Sequence, residues 1–224
     1  MNKIESITGR IDEIRSGLPE SVRLIAVSKQ VSSDAIREAY EAGIRDFAES
    51  KVQEKAKKQE ELQDLTDITW HLIGHLQSNK AAKALEQFPW IQSVDSLKLA
   101  QRLNRLAGEL SHSPFICLQV KILPDPDKFG WTVPELMASL EELNQYQHLR
   151  IRGLMTILPL GLDDAQILEG FKNLRQLAEK IDEQNLSNLK MEQLSMGMSG
   201  DYPLAIQAGA TMIRLGRTLF GSRS

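Results

Sequence analysis

Short apolar runs alternate with amphipathic stretches along the whole chain. Runs rich in Val, Ile, Leu and aromatic residues lie near 24–28, 45–48, 68–73, 90–94, 115–121, 151–157, 192–195 and 212–215. Their length and branched side chains read as strands of a buried parallel sheet. Between them the spacing becomes helical. Ile36, Ala39 and Tyr40 mark 34–42, and Ser33 or Asp34 reads as its N-cap. Segment 51–63 is dense in Lys, Glu and Gln, with Val52, Ala56 and Leu62 on one side, and reads as a helix with a solvated charged face. Leu99, Leu103, Leu106 and Leu110 stripe 96–110; Ile167, Phe171, Leu174, Leu177 and Ile181 stripe 164–183. Neither stripe exceeds about two heptads, so both are core faces rather than zippers. Ile4, Ile7, Ile11 and Ile14 predict one more helix ahead of the first strand.

Eight strands in βα order imply a parallel sheet with right-handed crossovers. The reading is a single (β/α)8 TIM barrel over residues 1–224 with an extra N-terminal helix; an open doubly wound sheet is the alternative. The length, 224 residues, suits one such barrel. Apolar content is 42% and charged content 25%, as in a globular protein in water. The net charge of −3, with both signs interspersed, argues against a nucleic-acid surface. No apolar run reaches membrane-spanning length, and the first residues lack the apolar stretch of a signal peptide, so the expected location is the cytoplasm. The one cysteine, Cys117, sits in an apolar run and is expected to be buried and inert.

Composition names no chemistry; the strand ends do. In a barrel the C-terminal ends of the strands share one mouth. Read in order they give Lys29, Glu49-Ser50, Ile73-Gly74-His75, Asp95, Lys121, Met155-Thr156, Ser195-Met196-Gly197 and Leu215-Gly216-Arg217. A lysine at such an end can form a Schiff base with a carbonyl. The glycine- and serine-containing turns after strands seven and eight suit a phosphate. Lysine opposite a phosphate cradle fits a pyridoxal-phosphate site or a Schiff-base aldolase for a sugar phosphate, and the pattern alone leaves both open. His71 and His75 are four apart but no third ligand follows, so a metal is not expected; His71 reads as a hydrogen-bonded barrel-interior residue. Asp125, Asp127 and Lys128 read as a plain loop near the mouth.

The chain also resembles the pyridoxal-phosphate homeostasis proteins (the YggS/PROSC family), whose barrel is similar to the N-terminal domain of alanine racemase, the fold type III of pyridoxal-phosphate proteins. The resemblance runs nearly end to end. It rests on Ala26 to Lys29, Phe47 to Glu54, Trp70 to Lys80, Lys128-Phe129-Gly130, Gly153 to Thr156, Leu194 to Asp201 and Ile213 to Gly216. It implies pyridoxal 5'-phosphate as cofactor, held as an aldimine on Lys29. It places Ser195, Ser199, Gly216 and Arg217 at the phosphate, partly through backbone, Arg214 against the pyridine nitrogen, Met155 along the ring and Ser50 near the phenolic oxygen. One departure stands out: where the family usually has Gly-Glu-Asn, this chain has Ala48-Glu49-Ser50, and serine is shorter than asparagine and offers fewer donors.

Arg214 bears on mechanism. A guanidinium donates a hydrogen bond but cannot accept a proton, so it leaves the pyridine neutral and the electron sink weak. Racemases with this barrel draw their opposing base, a tyrosine, from a second domain for which no residues are expected here. Tyr40 and Tyr146 fall in predicted outer helices, and Tyr202 falls in the phosphate-loop segment, to pack or cap there. The expected function is therefore storage and delivery of pyridoxal phosphate without robust catalysis, by a monomer whose clients are apo-enzymes. The alternative is a small amino-acid racemase.

Overall fold

The computed structural model describes residues 6–110 and 113–221. Ile4 lies outside the described residues, but the rest of its stripe forms α1 (Ile7–Ser16), capped by Ser6, whose hydroxyl accepts from Gly9 N–H. Eight βα units follow. The strands are β1 (Arg23–Val27), β2 (Asp46–Glu49), β3 (Thr69–Leu72), β4 (Trp90–Val94), β5 (Phe115–Gln119), β6 (Arg150–Met155), β7 (Leu189–Ser195) and β8 (Met212–Leu215). Between them run α2 (Ser33–Glu41), α3 (Val52–Glu61), α4 (Ala81–Gln87), α5 (Leu97–Ala107), α6 (Val133–Asn144), α7 (Asp164–Asp182) and α8 (Tyr202–Gln207), and α9 (Arg217–Phe220) closes the chain. Neighbouring strands are parallel, and β8 pairs with β1 to close the barrel, Ile25 opposite Arg214 and Ala26 opposite Leu215. The open sheet is thereby excluded.

Side chains alternate along each strand, so the barrel has two apolar layers. Ile25, Val27, Ala48, Trp90, Cys117, Met155 and Met212 form the inner one. Leu24, Ala26, Phe47, Leu72, Ile91 and Leu118 belong to the outer one, against the helices. Cys117 is wholly buried, and burial pushes its thiol up to about 12, which leaves it unreactive. Several boundaries move by a few residues, two of them for a clear local reason. Strand β7 begins earlier than its apolar core because Leu189 and Met191 alternate with exposed Lys190 and Glu192. Helix α2 is capped by Ser32, one residue before the expected pair: its backbone is extended and its hydroxyl accepts from Ala35 N–H.

The largest correction is α3. Its inward face carries Val52, Lys55 and Lys58, and Ala56 is only half-buried. Lys55 is 2% exposed, with its ammonium between the rings of Trp70 and Phe88 (5.9 and 5.8 Å) and hydrogen-bonded to Gln59 Oε1. Burial lowers its pKa from 10.5 to about 8. The unfolded chain therefore binds more protons between those values, and stability contributed by this site falls as pH drops through about 8. Lys55→Met is expected to be more stable than the parent by about 1–3 kcal/mol at pH 7 in urea titrations. The gain should shrink as pH rises toward 10.5, and a gain independent of pH would contradict the assignment.

Among the described residues, no helix is long and apolar enough to cross a membrane.

Candidate functional site

The strand register gathers the sequence-predicted residues on one arc of the mouth. In the closed barrel β6, β7, β8, β1 and β2 are consecutive neighbours. Met155 ends β6, opposite Ser195 at the end of β7. Arg214 is the third residue of β8 and Gly216 follows that strand. Lys29 lies two residues past β1 and is half-buried; Ser50 lies one past β2. Met155 is fully buried in the inner layer with Val27 and Cys117 and forms an apolar floor. Ser199 is in the β7–α8 loop, and its hydroxyl accepts from Thr218 N–H at 3.3 Å, which ties that loop to the start of α9. Arg217, the first residue of α9, is exposed.

Gly197 is the glycine the turn requires. Its φ is +91°, and a Cβ there would lie 2.6 Å from Ala205 Cβ. Gly216 has φ of −114°, and a Cβ would meet Val27 O at an ordinary 3.4 Å, so the polypeptide itself does not demand glycine there. Ala48, where the family usually has glycine, is comfortable: among the described non-glycine residues only Gln30 and Asn185 have positive φ.

The Lys29 loop is held from behind. Lys58 passes inward from α3, and its ammonium donates to Ser28 O (2.6 Å), Glu49 Oε1 (2.7 Å) and Glu54 Oε1 (2.9 Å). Ser28 Oγ also donates to Glu49 Oε1 at 2.6 Å, and Gln30 N–H donates to Glu54 Oε1. Both neighbours of Lys29 are therefore anchored, and Gln30 is kept at φ +59°, a region a non-glycine residue seldom adopts. Burial raises the Glu49 carboxyl above its ordinary value, opposed by Lys58 and Ser28; Glu49 Oε2 is buried without a hydrogen-bond partner among the described residues. Burial also pushes Glu54 upward, but Gln30 N–H and Lys58 outweigh it and leave that carboxyl below the usual range.

Arg214 is 3% exposed inside the barrel. It donates to Ser195 Oγ (2.7 Å) and Thr156 O (2.8 Å). Burial lowers its pKa to about 10, so it stays charged at neutral pH. Ser195 Oγ commits its one hydrogen as well: it donates to Gln92 Oε1 at 2.6 Å. Gln92 continues to His71, which reaches Asp46. His71 is thus the interior hydrogen-bonded residue expected of it. His75 instead pairs with Asp95 (2.7 Å) and stacks on Phe129 (3.6 Å between ring centres). Asp125 pairs with Lys128 and accepts from Asp127 N–H within its own loop. Among the described residues no three His, Cys, Asp or Glu side chains are grouped to hold a metal.

Sequence reasoning missed Glu49, Glu54 and Lys58 as supports for Lys29, and Gln92 as a support for Arg214. A glutamine inside the wholly buried run Trp90–Val94 was the one available signal for the latter.

The chain belongs to the family described as alanine racemase, N-terminal domain, which matches residues 3–224. It is 54% identical over 211 residues to the pyridoxal phosphate homeostasis protein of Synechocystis, covering 94% of this chain and 96% of that one. The Pseudomonas aeruginosa protein of the same name is 41% identical, covering 98% and 94%. The structure of PipY from Synechococcus elongatus with pyridoxal phosphate bound superposes with a TM-score of 0.92 at 55% identity, covering 96% of this chain and all, 100%, of that one. An alanine racemase of Clostridium difficile shares the fold alone, with TM-score 0.74, 16% identity and 57% of its length covered.

Proposed function

We propose that this protein binds pyridoxal 5'-phosphate at the mouth of its barrel and stores and delivers it in the cytoplasm, as a monomer. The observation that carries this reading is the likeness, over nearly the whole chain, to PipY with pyridoxal phosphate bound. The residues present fit the group: an amine at the end of β1, an apolar floor at Met155, two tied turns at Ser199 and Gly216, and one buried cation. When bound, the cofactor supplies an aldehyde for reversible attachment to an amine and a ring that withdraws electrons best with its nitrogen protonated.

Lys29 offers the amine for attachment, and the α3 clamp sets its position. Ser199, Gly216 and Arg217 would hold the phosphate, and Ser50 would lie near the phenolic oxygen. The Ser195 hydroxyl is committed to Gln92 and Arg214 and orients the arginine, so this residue would meet the phosphate through its backbone. Arg214 would present N–H to the ring nitrogen and keep it unprotonated, which disfavours turnover. Two of the three tyrosines, candidates for an opposing base, have hydroxyls committed elsewhere. Tyr40 bonds Asp67 and Tyr146 bonds Glu142, while Tyr202 packs at the start of α8 beside the α1 groove. The homologues' names likewise describe homeostasis and no reaction.

Delivery is testable with an apo-enzyme that requires this cofactor. The loaded protein is expected to reactivate it faster than the rate at which cofactor escapes into a trapping solution. Equal rates would reject delivery and leave only storage. Exchange of the α-proton of any amino acid in D₂O by the loaded protein would instead favour the racemase alternative.

A further inference from the structure

Five polar side chains cross the barrel interior from its mouth to its base, and the hydrogen bonds that join them run in one direction. Arg214 Nη1 donates to Ser195 Oγ (2.7 Å), and Ser195 donates to Gln92 Oε1 (2.6 Å). Gln92 Nε2 donates to His71 Nδ1 (2.9 Å), and His71 Nε2–H donates to Asp46 Oδ1 (2.8 Å). Arg23 adds a long contact of 3.5 Å to the same carboxylate oxygen at the base. His71, Gln92 and Ser195 are fully buried.

Each link removes an ambiguity left by the one above. A serine hydroxyl can rotate to donate or accept. Gln92 Oε1 draws its hydrogen downward, so a lone pair faces the guanidinium. A glutamine amide can flip; His71 Nδ1 has a lone pair, so the NH₂ must face it. A neutral imidazole has two tautomers, and the Asp46 carboxylate selects the one with hydrogen on Nε2. Burial favours the neutral ring against the pull of Asp46. The base of the barrel is closed around this chain by stacked rings, His71 on Trp90 (5.7 Å) and Trp90 on Phe115 (4.8 Å).

We infer that Asp46, His71 and Gln92 are positioning residues for Arg214: they lock its guanidinium plane and thereby set how the barrel meets the cofactor's ring nitrogen. The second half of this inference rests on the cofactor reading above; the first half does not.

Two variants remote from the mouth test it, Gln92→Leu and His71→Phe, the second filling an aromatic slot. In the protein loaded with ring-¹⁵N pyridoxal phosphate, both are expected to shift the bound nitrogen resonance and to speed dissociation about tenfold, the scale of one lost buried hydrogen bond to a charged group. Without cofactor, both are expected to merge the separate Nη1 and Nη2 resonances of Arg214 as the guanidinium begins to rotate. Separate resonances persisting in both variants, or in His71→Phe if the other does not fold, overturn the positioning role. Lowered melting temperature with an unmoved nitrogen resonance overturns its extension to the cofactor. A parent protein with no bound-cofactor resonance rejects the cofactor reading alone, and the guanidinium resonances still decide the rest.

Discussion

Lys58→Met is expected to destabilise the protein by about 3–5 kcal/mol, the usual cost of removing one partner from a buried ion pair. Lys58 is the cation that answers Glu49, and it also covers Ser28 O. Without it, Glu49 keeps only the Ser28 hydroxyl as donor, and its Oε2 already has none among the described residues. The carboxyl, raised by burial even with the lysine present, would then take up a proton. Urea titration measures the loss, and the double variant Lys58→Met/Glu49→Gln should recover most of it. A single-variant loss under about 1 kcal/mol, the range of a surface pair, would show that the clamp carries little energy. Cofactor retention should fall along with stability in the single variant, because Ser28 O would lose its donor and the carboxylates that hold Ser28 and Gln30 would lose the cation that joins them behind Lys29.

Lys29→Ala removes the attachment point itself. The parent protein, loaded with pyridoxal phosphate, is expected to show a visible absorbance band distinct from that of free cofactor, and the variant to lack it. Folding should be little changed, since the Lys29 side chain is half-buried and makes none of the clamp's hydrogen bonds. A band retained in the variant would place the attachment elsewhere.

The barrel was legible because buried parallel strands leave short branched runs and the helices between them leave leucine stripes. Closure was legible only through the count of eight units: the pairing of Ile25 with Arg214 that achieves it joins residues at opposite ends of the chain, and no local pattern records it. The mouth was legible for a related reason. Lys29, Ser195, Arg214 and Gly216 stand at strand ends, and strand ends can be read one at a time. What supports them could not be read that way. Lys58 lies in a run of alternating charges that looks like a solvated helix face. Its partner Ser28 is thirty positions away, and only the packing of α3 on the outside of β1 and β2 brings them together. Gln92 and Ser195 are likewise 103 positions apart, joined because both side chains point into the barrel. Ser195 shows how this matters: its strand-end position suggested a phosphate contact, and only the packing shows that its hydroxyl brackets Arg214.

Borohydride reduction of the loaded protein followed by peptide mapping bears most directly on the role of Lys29. Reduction makes the attachment permanent, and the map reports which lysine carries it. Lys55, whose amine burial brings to a pKa of about 8, serves as the internal comparison, being enclosed near Trp70 and Phe88. A single cofactor-derived mass on the peptide containing Lys29 is the expected result. An adduct on Lys55 or any other lysine, or no adduct at all, would contradict it.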